Sequence, residues 1–290
     1  MRALALNYVS PLTHAGLADL AVLALLEEVR LTPKPGLVDL RGSGVHRDLT
    51  LRLMEHSAES LRTTFDLLAQ EAARHQWVNQ FLREELARLG RLGEHVMLQE
   101  TGGVNTHRGA IWALGLLIGG LCVRQAPATV PDLLNNAGAL ARMDDRFHVA
   151  GQSSNGAQAR IRYGVGGARE QAARNFPQIM DGLEQLYRSR KAGMSEQAAR
   201  VDALLAIAAR LDDTCVVHRS GLEGLEWMQQ QAQKVLTVGG YGTRAGQTCY
   251  DTLEAGMQQR NASPGGAADL LGACLFIDSL ITRGVIAWKS

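Results

Sequence analysis

The chain reads as a succession of helical hydrophobic stripes separated by loops unusually rich in glycine and charge. In LADLAVLALLEEV, Leu17, Leu20, Ala21, Ala24, Leu25 and Glu28 recur at the three- and four-residue steps of one helix face. Alanine and leucine, which dominate the run, are strong helix formers. The same spacing recurs over 50–74, 79–99, 107–124, 131–142, 166–188, 195–210, 222–237, 246–259 and 267–283. No convincing alternating strand and no Asn-Gly hairpin separates these runs. The pattern predicts an all-α protein, one domain over 1–290 built as an irregular bundle of about ten helices. The stretch around 143–165 is the one plausible seam, and no internal period points to a repeat array.

The loops carry more chemistry than helix connections need. They read LTPKPGLVDLRGSGVHRD, QETGGVNTHRG, GQSSNGAQARIRYGVGGARE, LDDTCVVHRSG, VGGYGTRAG and RNASPGGAAD. Three of them place glycines at the mouth of an apolar helix. Such a mouth offers unpaired N–H groups and the positive end of a helix dipole to an anion, and glycine lets a ligand approach the backbone. In TGGVNTHRGA, Thr101, Gly102, Gly103 and Asn105 therefore form a candidate phosphate or ribose cradle. Arg108 adds a fixed charge and Thr106 can cap the helix. In RNASPGGAADLL, Asn261, Ser263, Gly265 and Gly266 precede a helix with Asp269 in its first turn. In YGVGGARE, Gly166 and Gly167 precede Arg169. An elaborate turn with an N-cap explains any one of these segments as well as a cradle does; three in one helical chain favour the cradle.

Further acids and cations flank these loops. Pro33 and Pro35 stiffen the segment that presents Lys34. His46 and Asp48 lie two apart before a helix. Asp39 with Asp48, and Asp212 with Asp213 near Arg219, are candidate oxygen ligands for Mg²⁺. Glu94 stands two helical turns before Thr101, on a face able to point at the same pocket. No P-loop, dinucleotide fingerprint or zinc motif is present.

Charge changes the picture by exclusion. A formal net charge of +1 gives no global field to hold nucleic acid or an anionic membrane. Cys122, Cys215, Cys249 and Cys274 show no CxxC or Cys/His spacing and read as buried thiols. The apolar stretch Ala110 to Val123 is shorter than the roughly 20 residues of a spanning helix. The expectation is a soluble cytoplasmic protein.

Together, LTPKPGLVD, GVHRDL, TGGVNTHRGAI, SNGAQARIRYGVGGARE and RNASPGGAADLL closely resemble the triphosphoribosyl-dephospho-coenzyme A synthase family, in order, from about Leu17 to about Ile281. The resemblance implies an all-α enzyme that transfers the triphosphoribosyl group of ATP to 3′-dephospho-coenzyme A and releases adenine. The product is the precursor of the prosthetic group of a malonate decarboxylase or citrate lyase carrier subunit, attached by a separate transferase. The wording RGSGVHRDL and THRGAIWALGLL leans to the malonate decarboxylase branch. The chain departs from the family pattern at Cys215 and Ser220, where the family tends to have Asn and Gly.

That chemistry gives the inventory its expected roles. His46, Asp48, Glu94, His107 and Asp269 are the candidates for proton transfer and for a carboxylate beside the sugar. Lys34, Arg108, Arg169 and Arg219 supply charge for phosphates. Asp39, Asp48 and Asp213 are the candidate ligands of a Mg²⁺ that accompanies ATP. Two other readings use the same residues: a nucleotide-dependent phosphotransferase, and a non-catalytic helical scaffold.

Overall fold

The computed structural model describes residues 12–147 and 162–289. The segment read as GQSSNGAQARI, 151–161, lies outside the described residues. Helices α1 (His14–Arg30), α2 (Leu51–Ser60), α3 (Arg62–Ala72), α4 (Gln80–Glu100), α5 (Arg108–Leu121) and α6 (Val130–Arg142) make up the first half. The second half holds α7 (Gly167–Ala173), α8 (Pro177–Lys191), α9 (Glu196–Ala208), α10 (Thr214–Thr237), α11 (Arg244–Gln259) and α12 (Gly265–Thr282). Among the described residues there are two isolated β-bridges and no strand. The fold is all-α.

Three boundaries differ from the sequence pattern, each for a local reason. The run 50–74 divides at Leu61, whose amide donates to Ala58 O at 3.3 Å, a three-residue step that restarts the helix as α3. The run 166–188 breaks where Asn175 and Phe176 take positive φ (62° and 51°), and Pro177 starts α8 at a position where a proline costs no hydrogen bond. The polar segment LDDTCVVHRSG is helical from Thr214 onward. Its helix continues through Gly221 (φ 68°, ψ −172°), a kink only glycine adopts without strain. Hydrophobic period alone started this helix at 222 because its first two turns hold one short apolar pair, Val216 and Val217, among polar residues and end on the Gly221 kink.

Helix α12 is the axis of the core. It packs against α1, α5, α8, α9 and α10, and twelve of its residues, from Ala267 to Leu280, are buried. Among the described residues it is also the one helix long and apolar enough to cross a membrane, at a mean hydropathy of 1.4. Its neighbours occupy that apolar surface instead. Close packing is enforced on α8: a Cβ on Gly182 would lie 2.9 Å from Cys274 Sγ. The apolar α5 lies beside α12, so both helices begin near the same place.

Candidate active site

Three helix N-termini meet there, those of α5, α10 and α12, and two aspartates stitch them together. Asp213 is the N-cap of α10. Its Oδ1 accepts the Cys215 amide at 2.9 Å, and its Oδ2 accepts the Ala267 amide of α12, also at 2.9 Å. One carboxylate thus satisfies donors on two helices. Glycine permits the approach: a Cβ on Gly266 would stand 3.1 Å from Asp213 Oδ2, and one on Gly265 would stand 3.1 Å from Cys215 Sγ. Asp269, one turn into α12, reaches the mouth of α5. A Cβ on Gly109 would overlap its Oδ2 at 2.0 Å, and the Ala110 amide donates to it. Beside them Gly167, at the start of α7, faces Thr214 Cγ2. The Trp112 indole N–H donates to Ala168 O at 3.3 Å.

Burial sets the electrostatics of this centre. It pushes the Asp269 carboxyl well above the usual carboxylate range, and the charges of Glu28 and Asp213 push it further. Asp213 is also raised by burial, against the pull of its backbone donors. Two buried carboxyls thus sit at the N-terminal ends of three helices.

Two histidines flank the carboxyls. His46 Nε2 lies 2.8 Å from the buried Ser263 hydroxyl, and Arg219 Nη2 donates to His46 Nδ1 at 3.1 Å. With Nδ1 accepting, the ring carries its proton on Nε2. Burial, with help from the Arg219 charge, lowers its pKa to about 4, so it is neutral at pH 7. His107 is fully enclosed, and burial lowers it to about 3, with Lys34 contributing. Its Nδ1 meets the Ser57 hydroxyl at 2.9 Å, while its Nε2 is buried without a partner. Ser57 also lies 2.5 Å from Thr106 Oγ1, so Thr106 braces Ser57 and leaves α5 uncapped by its side chain; Asn105 Oδ1 accepts the Arg108 amide instead.

The outer wall is a cleft of about 440 Å³ lined by Val45, Arg47, Asp48, Arg219 and Asn261. Asp48 is exposed there, 4.0 Å from His46 Nδ1. Along α4, Glu94 forms an ion pair with Arg108 at 3.1 Å, and burial raises its carboxyl above the usual range. Arg169 pairs with Asp144 at 2.7 Å.

The structure puts several expected residues to other uses. Gly102 and Gly103 (φ 63° and 91°) turn the chain out of α4, and their amides donate to Gln99 O and Leu98 O. Thr101 Oγ1 bonds to Met97 O and Val104 O. The Gly-Gly pair thus closes α4, and at the start of α5 the Arg108 and Ala110 amides are taken by Asn105 and Asp269. Lys34 does not present its charge to solvent: it is 3% exposed, with Nζ 2.5 Å from Glu28 Oε1. Asp39 is taken up by Arg41 at 2.7 Å and by the Lys34 amide at 2.9 Å. Asp39 and Asp213 therefore have their oxygens occupied by protein donors. Among the described residues no three His, Cys, Asp or Glu side chains converge as a ready metal cage. Sequence reasoning passed over Ser57 and the Glu28 pairing. The second had a signal, because Glu28 sits in the buried stripe of α1 and a buried acid calls for a cation.

With this geometry in view, the comparisons are decisive. The family described as ATP:dephospho-CoA triphosphoribosyl transferase matches residues 14–285. The chain belongs to this family. A protein of Pseudomonas syringae pv. syringae (strain B728a) named probable 2-(5''-triphosphoribosyl)-3'-dephosphocoenzyme-A synthase is 56% identical over 265 residues, 91% of each chain. Proteins of the same name from Azotobacter vinelandii (53% identical, 91% of this chain and 90% of theirs) and Stutzerimonas stutzeri (53%, 93% of each) are also similar. No solved structure matches. The triphosphoribosyl transferase family is a family of enzymes.

Proposed function

We propose that this chain transfers the triphosphoribosyl group of ATP to the 2′-hydroxyl of 3′-dephospho-coenzyme A and releases adenine. The carrying observation is the pair of buried carboxyls, Asp213 and Asp269, that join three converging helix N-termini. The hydroxyl oxygen forms a bond to C1′ of the ATP ribose as the bond from C1′ to the adenine nitrogen breaks. The hydroxyl proton must leave and adenine must gain one. Asp269, whose carboxyl burial pushes well above the usual carboxylate range, is the residue suited to hand a proton to departing adenine and take one back. Asp213, with its oxygens held by backbone amides, positions the two helices. His107 offers Nε2 as a neutral partner for a sugar or base hydroxyl or nitrogen. His46 orients Ser263 and Arg219 at the cleft. As Asp269 gives its proton to adenine, the carboxylate left behind meets the positive charge developing at C1′, and the helix dipoles with Arg108, Arg169 and Arg219 face the phosphates. Adenine as the released product, found by mass with all three phosphates left on the ribose, is the expected result. ADP or AMP would instead establish the phosphotransferase reading.

Mg²⁺ fits as an ion carried largely by phosphate oxygens, since Asp48 is the one candidate ligand whose carboxylate faces the cleft free of a cation pair. Bound there, it would neutralise triphosphate charge. Chelation should abolish turnover and added Mg²⁺ restore it, and Asp48→Asn should raise the Mg²⁺ concentration needed for half-maximal rate. Undiminished activity in chelator overturns this. For the product we favour service to malonate decarboxylase over citrate lyase, on the family-like wording of RGSGVHRDL and THRGAIWALGLL, with a separate transferase as the next enzyme.

A further inference from the structure

We propose that Arg83, Arg91 and Arg169 form a binding site for a linear polyphosphate chain, and that Asp144 and Asp145 stand in for it when the site is free. Arg83 lies on α4, 5% exposed, and its Nε is buried without a hydrogen-bond partner. Among the described residues no carboxylate forms an ion pair with it, although a buried guanidinium is normally compensated by one. Its guanidinium carbon is 5.3 Å from the ring centroid of Trp112 on α5, a contact weaker than the desolvation it accompanies. Burial accordingly lowers its pKa, and the neighbouring charges are Asp145, Arg169, Arg91 and Asp144. Three cations thus share two acids. Asp145 pairs with Arg91, and Asp144 with Arg169 at 2.7 Å. Both acids belong to one short stretch after α6, held from α4 by Gln80, which donates to Asp144 O at 2.6 Å, and by Glu84 through Arg146.

Two carboxylates spaced along a chain and set against arginine forks resemble a polyphosphate in shape and charge. A real one brings more oxygens, enough to reach the unused Arg83 Nε as well. The position suits such a ligand. Trp112 is one turn along α5 from Arg108, and its indole bonds to the residue before Arg169, so the cluster continues from the mouth of α5. Both substrates of the proposed reaction contain a polyphosphate, the triphosphate of ATP and the diphosphate of dephospho-coenzyme A. Which one docks rests on that reading; the site itself does not.

Calorimetric titration of the full chain with sodium tripolyphosphate, ATP and dephospho-coenzyme A tests this. Tripolyphosphate should bind the wild type, and Arg83→Met should weaken it about ten- to hundred-fold, the effect of losing a charge-assisted contact. Arg83→Lys, which keeps the charge without the fork, should recover part of the loss. The Asp144→Asn, Asp145→Asn double variant should bind tripolyphosphate more tightly, because the competing carboxylates are gone. A segment that merely clamps the fold would instead lose affinity and melting temperature together. No binding by the wild type, or weaker binding by the double variant, overturns the site, and this holds even if Arg83→Met fails to fold. A loss for ATP alone assigns the triphosphate, and a loss for dephospho-coenzyme A alone the diphosphate. Tripolyphosphate binding without adenine release in the full reaction would sink the catalytic reading and leave this site standing.

Discussion

Asp269→Asn will stop adenine release and at the same time make the protein harder to melt at neutral pH. The loss should be about 10²–10⁴-fold in turnover, the usual worth of a positioned proton donor. Asparagine keeps the shape that fits against Gly109, where a Cβ already would overlap the carboxylate, and can still accept the Ala110 amide. It cannot exchange a proton. Single-turnover rates should therefore fall far more than ATP affinity.

The stability gain follows from linkage. Burial holds the folded-state pKa of Asp269 well above its unfolded value of ~3.9. Between those two values the folded state binds the proton and the unfolded state does not, so stability falls as pH rises. The wild type carries that cost at pH 7 and escapes it below about pH 4; the asparagine variant never carries it. Melting curves of the two proteins should coincide in acid and separate as pH rises. A constant difference at every pH, or full turnover by the variant, removes Asp269 from the role.

How much of this was legible in the chain follows from what each residue contacts. The helices with strong apolar stripes were legible, since their period survives packing. The beginning of α10, Thr214–Gly221, was not, because one buried pair, Val216 and Val217, is too short to show a period before the Gly221 kink. The glycine-rich mouths at Gly109 and Gly265 marked the centre, yet Gly102 and Gly103 carried the same signature and take part in ending α4. Sequence composition cannot separate a glycine that admits a neighbouring carboxylate from one that takes a positive φ. Arg83 had no signal at all: it occupies an ordinary helical position, and what makes it unusual is the acid it lacks. Lys34 was misjudged for the opposite reason, since its partner Glu28 lies on a different element.

Lys34 gives the second large effect. Removing one partner of a buried ion pair leaves the other charge uncompensated, at a typical cost of 3–5 kcal/mol. Lys34→Met should therefore destabilise the protein by about that amount in denaturant titrations, with Glu28 stranded beneath the site. Glu28→Gln alone should also destabilise, for the same reason with the charges exchanged. The double variant removes both charges and should recover most of the loss, a coupling visible in a double-mutant cycle because the two side chains touch at 2.5 Å. ATP affinity of the folded double variant should stay near wild type, since Nζ donates inward to Glu28 and its backbone carbonyl. If Lys34→Met instead melts normally and loses ATP, the lysine turns outward to the phosphates in the working enzyme, and the ion pair with Glu28 is only its resting place.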